Sequence, residues 1–583
     1  MPMTLPSASI ILSLFLAISC TKATPQQQDS TEQPDESNTT DSHTGEMLRD
    51  QDSDGYWSIE AGGLDCDDND PSIHPGVEEI IDGVDQDCNG LVDDGTAAFD
   101  GDEDGWTIGA GDCNDNDPGT WPTAPDNPCD TIDQDCDGEL ETCTRAGAAY
   151  ARIVSTDGNN EFGFAFGGGD FSGNGRPDVA TGLTSITYVF DTPDVSGEVT
   201  DQDAFLRVRD SWSGGAGVGG VAFVNHHSEN GPSAMLIGKT QAEDDGIVYL
   251  LCDPVSGDVV AEDVACAIYS DGDSDSSFGW TLDGGADVTG DGIADLLIGA
   301  PFDMDRVGVA YVVSGDARGD VDVTSSSSAQ IWGDVERDMA GYSLVMAGDN
   351  NSDGVGDVLV GAAMAGSDGG RIGWFMGPIS GNTTLSDADV LYTADTGSLS
   401  GLSLAGRADF DGDGREDFAL TSWEEGIGGV HIYTDFGDGS LDGAVAHLMG
   451  VERADYVTSQ GDYLGITLTL PDANGDGLSD VFAGAPYSMM GGWVNSNSVL
   501  LPSGAVALFL APFSGTRTML EADSLVFGEN AEDGLGCTVS TVGDINGDGI
   551  DDLMAGAAFY DNPNDGNDVG RGAAFFFLGQ ESW

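Results

Sequence analysis

A nine-residue pattern of oxygen-bearing side chains recurs along this chain, each time directly before an apolar run. Near the C-terminus it reads DINGDGIDDLMAGA, from Asp544 to Ala557. Relatives begin at 170 (DFSGNGRPDVATG), 287 (DVTGDGIADLLIGAP), 349 (DNNSDGVGDVLVGAA), 409 (DFDGDGREDFALTS) and 472 (DANGDGLSDVFAGAP). The spacing is about 60 residues, stretching to about 70 before the last copy. Self-similarity at such a period marks a repeat architecture, in which one unit cannot bury its own apolar face. The interval from 170 to 287 is twice too long, and it holds VAFVNHHSENGPSAMLIG at 221–238. There Asn230-Gly231 and Gly238 keep their places, but Ala234 replaces the last carboxylate. Seven units result, one of which has lost its acidic loop.

Each unit opens on a pair such as Phe162-Gly163, Phe278-Gly279, Leu464-Gly465 or Leu535-Gly536. The acidic loop follows, then a strand ending Gly299-Ala300-Pro301, Gly484-Ala485-Pro486 or a variant, then β-rich runs such as 307–315 and 571–579. Short strands between Gly and Asp turns, about four per unit, predict propeller blades. Opening pair, loop and Gly-Ala-Pro in this order resemble the FG-GAP repeats of the integrin α-chain head. Over about residues 150–583 the resemblance implies an all-β, seven-bladed β-propeller. The last unit lacks an outer strand. The segment 151–166 aligns with 329–344, so Arg152-Ile153-Val154 is expected to complete the last blade and close the ring.

The loops predict metal ligands at positions 1, 3, 5 and 9. These are Asp170, Ser172, Asn174 and Asp178; Asp287, Thr289, Asp291 and Asp295; Asp349, Asn351, Asp353 and Asp357. The later three copies give Asp409, Asp411, Asp413 and Asp417; Asp472, Asn474, Asp476 and Asp480; Asp544, Asn546, Asp548 and Asp552. Gly at position 6 permits a sharp turn, and the carbonyl at position 7 (Ile550 in the last copy) can point inward, as in the first half of an EF-hand loop. Hard oxygen ligands suit Ca²⁺ better than the stricter octahedron of Mg²⁺. The competing reading, Asx turns that bond only their own backbone, weakens with six copies. The first copy, with Ser172 and Asn174, is expected to bind most weakly.

A second repeat pair occupies 50–144. DQDSDGYW (50–57) recurs as DGDEDGW (100–106), LDCDDNDP (64–71) as GDCNDNDP (111–118), and DQDCNGLVDD (85–94) as DQDCDGELE (133–141). It resembles a Cys- and Asp-rich metal-binding motif of exported bacterial proteins. Candidate ligands are Asp50, Asp52, Asp54, Asp65, Asp67, Asp70, Asp85, Asp87, Asn89 and Asp93 in the first copy. The second offers Asp100, Asp102, Asp104, Asp112, Asp115, Asp117, Asp133, Asp135 and Asp137, some of each set being merely solvated. Ile81 stands where the motif has Cys, which implies a Cys66–Cys88 disulfide in the first copy. Cys113, Cys129, Cys136 and Cys143 leave three connectivities open in the second. Cys252 and Cys266 are expected to staple one short segment, and Cys537 to be a buried free thiol. His74, alone in this region, reads as a turn residue.

Seventeen basic against 104 acidic residues give a formal net charge of −87. Such a surface repels phosphate backbones and anionic lipid, so nucleic acid is not an expected partner. The N-terminal run SIILSLFLAISC (9–20) is too short to span a bilayer, which needs about 20 apolar residues, and reads as a secretory signal. Ala17-Ile18-Ser19-Cys20 resembles a bacterial lipobox, implying lipidation at Cys20 and a membrane link through that anchor alone. The expected organisation is a lipoprotein-type signal peptide at 1–20, a disordered linker at 21–49, metal-binding repeats at 50–144 and the propeller at 145–583.

The expected function is that of a calcium-binding β-propeller, secreted or on the cell surface. It would be a binding or adhesion module for an extracellular protein or glycan. Its rivals are a propeller hydrolase or lyase acting on extracellular polymer, and a structural envelope protein. GxSxG, HExxH and a phosphate-cradling GxxxxGK[S/T] loop are absent from the sequence, and no catalytic residue is nominated. Arg318-Gly319-Asp320 is read as a chance turn, and His226-His227 as a surface turn. Trp121, Trp332, Trp423 and Trp493 are sugar-stacking candidates that core packing explains equally well.

Overall fold

The computed structural model describes residues 50–580 except 60–61, 95, 103–104, 116–119, 123–135, 137–143, 157–164, 183–185, 193–195, 211–217, 225–232, 241–245, 274, 366–368, 395–397, 424–426, 436, 438, 452–460, 489–492, 495–499 and 561–571. It divides into two compact units, Ala23–Thr142 and Cys143–Trp583. Among the described residues no helix is long and apolar enough to cross a membrane.

The larger unit is a seven-bladed propeller. Blade three shows how a unit folds: inner strand Leu282–Gly284, second strand Asp295–Ala300, third strand Val309–Ser314 and outer strand Ala329–Trp332 form an antiparallel sheet. All six residues of the second strand are buried, because sheets pack on both of its faces. The equivalent strands Asp357–Ala362, Asp417–Ser422 and Asp552–Ala557 are buried throughout too. The interfaces between blades are apolar. Leu250, Tyr269, Ile298 and Tyr311 join blades two and three, while Trp374, Tyr392, Phe418 and Tyr433 join four and five.

The two glycine signatures meet one another. A Cβ on Gly299 would lie 2.3 Å from the Gly341 carbonyl oxygen, and one on Gly484 2.0 Å from that of Gly536. The glycine of Gly-Ala-Pro in one blade thus receives the backbone of the Phe-Gly pair of the next. Gly341 in turn donates its N–H to the Gly361 carbonyl of its own blade. Neither glycine tolerates a side chain, so the two motifs recur together.

Ring closure follows the sequence expectation. Ala151–Val154 pairs antiparallel with the last strand, Ala573–Phe577, as the outer strand of blade seven. The shortened unit also folds as a blade, with Val218–Val224 against Ala234–Lys239.

The expected four strands per blade need correction. Six of the seven large sheets have five strands, and that of blade four has four among the described residues. The additional strand runs parallel to the outer strand and comes from the following blade. Gly257–Val260, between the third and outer strands of blade two, pairs with Leu206–Arg209 of blade one. Gly319–Asp322, Gly381–Thr384 and Gly515–Thr518 repeat this, and Gly197–Thr200 pairs with the ring-closing strand. For blade six, Thr144–Arg145 takes the place. These segments are short and largely exposed, so they carry no apolar alternation for a pattern to detect.

Cys66–Cys88 and Cys252–Cys266 are disulfide-bonded, and the second copy of the N-terminal pair uses Cys113–Cys136. Cys129, Cys143 and Cys20 lie outside the described residues. The free-thiol expectation for Cys537 is corrected. Cys537 is buried, as expected, but it is disulfide-bonded and packs beside Ala558 and Phe559.

Candidate metal centres

Six acidic loops join inner and second strands. The position-1 aspartate accepts backbone N–H groups through both oxygens. Asp287 takes those of Gly290 (2.6 Å), Asp291 (3.2 Å) and Gly292 (2.7 Å), and Asp170 those of Gly173, Asn174 and Gly175. Asp349, Asp409, Asp472 and Asp544 all accept from the position-6 glycine. Position 5 turns back to the N–H of position 7, as in Asp548 to Ile550 at 3.0 Å. Gly549 sits at φ +91°, a left-handed conformation that lets the loop wrap on itself.

Position 9 opens the second strand and is the most buried part of each loop. Asp178, Asp295, Asp357, Asp417, Asp480 and Asp552 are at most 1% exposed. One oxygen of each accepts a loop N–H: Asp295 from Val288 at 2.9 Å, Asp552 from Ile545 at 2.8 Å. Burial pushes these carboxyls up, to about 6 at Asp178, Asp295 and Asp552 and to about 7 at Asp417 and Asp480. Asp357 is raised by the same cause. A cation in the loop would compensate the buried charge.

Among the described residues, one propeller loop gathers three carboxylates within 4.8 Å of one another, through Asp409, Asp411 and Asp417. Its Asp413 is paired with Arg415. Elsewhere the loop residues converge on backbone donors, and Asn, Ser or Thr stands at position 3 in five of the six loops.

The N-terminal unit gathers three carboxylate triads: Asp50, Asp52 and Asp68; Asp52, Asp54 and Asp65; Glu79, Asp85 and Asp87. Asp52 belongs to two of them. Asp50 Oδ1, Asp52 Oδ2, Asp54 Oδ2 and Asp65 Oδ2 are buried without hydrogen-bond partners, which fits a site for a hard cation. Burial, with Asp54, Asp52 and Asp68 nearby, raises the Asp65 carboxyl. Sequence reasoning missed Asp68, which accepts the Gln51 N–H, and Glu79, whose two oxygens accept the N–H groups of Asp87 and Asp93. Glu79 lies outside any Asp-rich run, so only folding brings it in. Asp67 and Asp70 instead bond their own turns, to Asn69 and Ser72. Asp93 accepts from Asp82 and Gly83, and Asn89 donates to Asp94. In the second copy, Asp100 Oδ1, Asp112 Oδ2 and Asp115 Oδ1 are buried without partners. Asp104, Asp117, Asp133, Asp135 and Asp137 lie outside the described residues.

Other sequence signals resolve locally. His74 stacks on Tyr56 with centroids 4.6 Å apart. Gly319 opens the extra strand of blade two at φ +73°, the place filled by Gly257 and Gly381 elsewhere, and Arg318 donates to the Gly315 and Ala317 carbonyls. Trp332 packs on the core between blades two and three, and Trp423 packs edge-on against Tyr463 at 4.4 Å. His226-His227 lies outside the described residues. Ser422 Oγ and His431 Nε2, which drew no notice in the sequence, lie 2.9 Å apart, and both are buried.

Loop, strand and paired glycines define the class: a seven-bladed β-propeller whose repeats are similar to FG-GAP repeats, with an N-terminal pair of repeats similar to a metal-binding motif. Residues 278–316 match the FG-GAP repeat, and 65–94 and 112–141 each match a motif described as "Putative metal-binding motif". Similar curated proteins include integrin alpha-PS5 of Drosophila melanogaster, 34% identical over 123 residues, which are 21% of this chain and 10% of that protein. Integrin alpha-PS2 of the same species is 27% identical over 208 residues, 34% of this chain and 13% of that protein. Mouse (Mus musculus) integrin alpha-IIb is 33% identical over 118 residues, 20% of this chain and 10% of its own length. The chain thus spans about a tenth of the curated relatives it matches. A solved chain of BBS1N in complex with ARL6DN covers 75% of this chain at a TM-score of 0.39 and 9% identity, too remote to bear on function.

Proposed function

We propose that this protein is an exported, calcium-stabilised propeller that presents a binding surface to an extracellular protein or glycan, without catalytic activity. One observation carries the calcium reading: six position-9 carboxylates are buried to 1% exposure or less in loops whose other side chains are oxygen donors. Residues at positions 1, 3, 5 and 9 of each loop would hold the ion, and Ca²⁺ would supply the charge that burial otherwise leaves uncompensated. In the N-terminal unit Asp50, Asp52, Asp54, Asp65 and Asp68 would hold another, with Glu79, Asp85 and Asp87 at a further site.

The binding reading draws on the repeat and on the names of the relatives it resembles. It is also supported by the end of the blades opposite the loops, where Trp280, Phe302 and Tyr342 cluster, as do Trp423, Tyr463 and Tyr487. Export with lipidation at Cys20, a tether over 21–49 and the domain boundaries at 50–144 and 145–583 complete the proposal. The test is thermal unfolding of the full chain in EDTA, millimolar Ca²⁺ and millimolar Mg²⁺. A rise specific to Ca²⁺ is expected. Equal unfolding temperatures in all three would refute the calcium reading.

A further inference from the structure

Resting on the reading of the loops as calcium sites, we infer that the six propeller loops are of two kinds. Those of blades one, three and five take calcium tightly, and those of blades four, six and seven are held by their own hydrogen bonds and take it weakly.

The division lies in the second oxygen of the position-9 aspartate. In blade four, Asp357 Oδ1 accepts the Gly377 N–H at 2.9 Å. In blade six, Asp480 Oδ1 accepts that of Ala511 at 2.9 Å, and in blade seven Asp552 Oδ1 accepts that of Gly579 at 2.8 Å. The donor lies two residues beyond a phenylalanine of the third strand each time, in Phe375-Met376-Gly377, Phe509-Leu510-Ala511 and Phe577-Leu578-Gly579. Both oxygens of these buried carboxylates are therefore satisfied by the protein.

In blades one, three and five the same atoms, Asp178 Oδ1, Asp295 Oδ1 and Asp417 Oδ1, are buried and take no backbone N–H, the loop N–H groups going to Oδ2. The third strand leaves differently in blades one and three. Gly315 in blade three spends its N–H on the Ala294 carbonyl, and Thr192 in blade one bonds Pro177 through its hydroxyl. A buried carboxylate oxygen without a donor is costly, and a cation satisfies it.

Position 3 divides the loops the same way and independently. It is Asn in blades four, six and seven, and Ser, Thr or Asp in blades one, three and five. Asn474 and Asn546 turn their amide nitrogens onto Asp476 and Asp548, at 3.0 and 2.9 Å, and accept the position-5 N–H through oxygen. Asn351 accepts the Asp353 N–H in the same manner. By contrast, the buried Ser172 and Thr289 hydroxyls lie beside the Asp178 and Asp295 carboxyls and favour their charged form. In blade five, Asp411 joins Asp409 and Asp417 in the one three-carboxylate group of the described propeller residues. Blade one, the weakest site by charge count, is thereby placed among the tight sites.

The test is hydrogen exchange with mass spectrometry on the full chain in EDTA and at increasing free Ca²⁺. Exchange at 172–176, 289–293 and 411–415 is expected to slow first, by about tenfold when Ca²⁺ reaches ten times its Kd. Exchange at 351–355, 474–478 and 546–550 should change little at that concentration. Protection of all six loops together would overturn the division and leave the calcium reading intact. No protection in any loop would overturn both. As a second arm, Asp417→Asn should erase the response of 411–415 at that concentration and leave that of 289–293 in place. A response at 411–415 as strong in the variant as in the native chain would also overturn the division.

Discussion

Arg407 on the inner strand of blade five reaches past blade four to Asp283 on the inner strand of blade three. Its guanidinium lies 3.2 and 3.1 Å from the two carboxylate oxygens and 3.1 Å from the Gly284 carbonyl. Nε donates to the Met346 carbonyl of blade four at 3.0 Å, and the Met346 N–H donates back to Asp283 at 2.8 Å. Three blades are thus tied at the centre of the ring. Both partners are partly exposed, at 38% and 23%, so screening limits the pair itself to about 1 kcal/mol or less. A double-mutant cycle on Arg407→Ala and Asp283→Asn should return a coupling of that size by chemical denaturation, falling as salt rises. Zero coupling at low salt would show the contact to be energetically neutral.

Acidity should stabilise the metal-free propeller. The position-9 carboxyls are raised in the folded state, to about 6 or 7 where burial is most effective, above the ordinary aspartate value of 3.8. The folded chain then binds more protons than the unfolded one between those values. Their contribution is fully present below about pH 4 and is lost as pH rises through 6 to 7. Unfolding temperature in EDTA should fall from pH 4.5 to 7.5, and Ca²⁺ should flatten the profile. A rise over that interval in EDTA would contradict this assignment.

Closure depends on one short strand. Ile153 is wholly buried against the last strand of blade seven. Ile153→Ala should cost about 2–5 kcal/mol, as for large-to-small changes in other cores. Hydrogen exchange should quicken at 573–577 and stay unchanged in blade three. Uniform quickening around the ring would mean that the propeller opens as a single cooperative unit.

The Cys252–Cys266 disulfide closes a sequence separation of 14 residues across the edge of blade two. Chain-entropy arguments give about 3 kcal/mol for a loop of that length. The Cys252→Ser and Cys266→Ser double variant should lose most of that by denaturant unfolding, and reducing agent should have no further effect on this blade.

The sequence carried the blade count, the ring closure and the loop residues because each rests on a local physical demand. Gly299 and Gly341 exclude any side chain, and Asp544 must be followed by glycines for its oxygens to collect backbone donors. The parts that stayed illegible are set by long-range contact. Gly257–Val260 is a strand only because blade one offers its outer edge. Asp68 and Glu79 enter the N-terminal triads through the folding of turns. Cys537 lies in an apolar context suited to a packed thiol, and nothing local reveals its disulfide. The two kinds of loop were half visible. Asn against Ser, Thr or Asp at position 3 was on the page, but the distant donors Gly377, Ala511 and Gly579 gave it meaning.

The strand that six of the seven blades borrow from a successor, among the described residues, affects how such a ring can be cut and rejoined. Excising a single sheet would leave its predecessor with a bare margin and deprive its successor of the edge that its own lent strand covers. The unit that can be duplicated or lost in a gene is therefore the run between successive phase-matched breaks, staggered against the visible blades. The ring of this chain is joined at such a break, where Thr144–Arg145 pairs with Ser524–Phe527 and Ala151–Val154 with Ala573–Phe577. A circularly permuted gene opened at the same phase in any other unit would restore an uninterrupted ring.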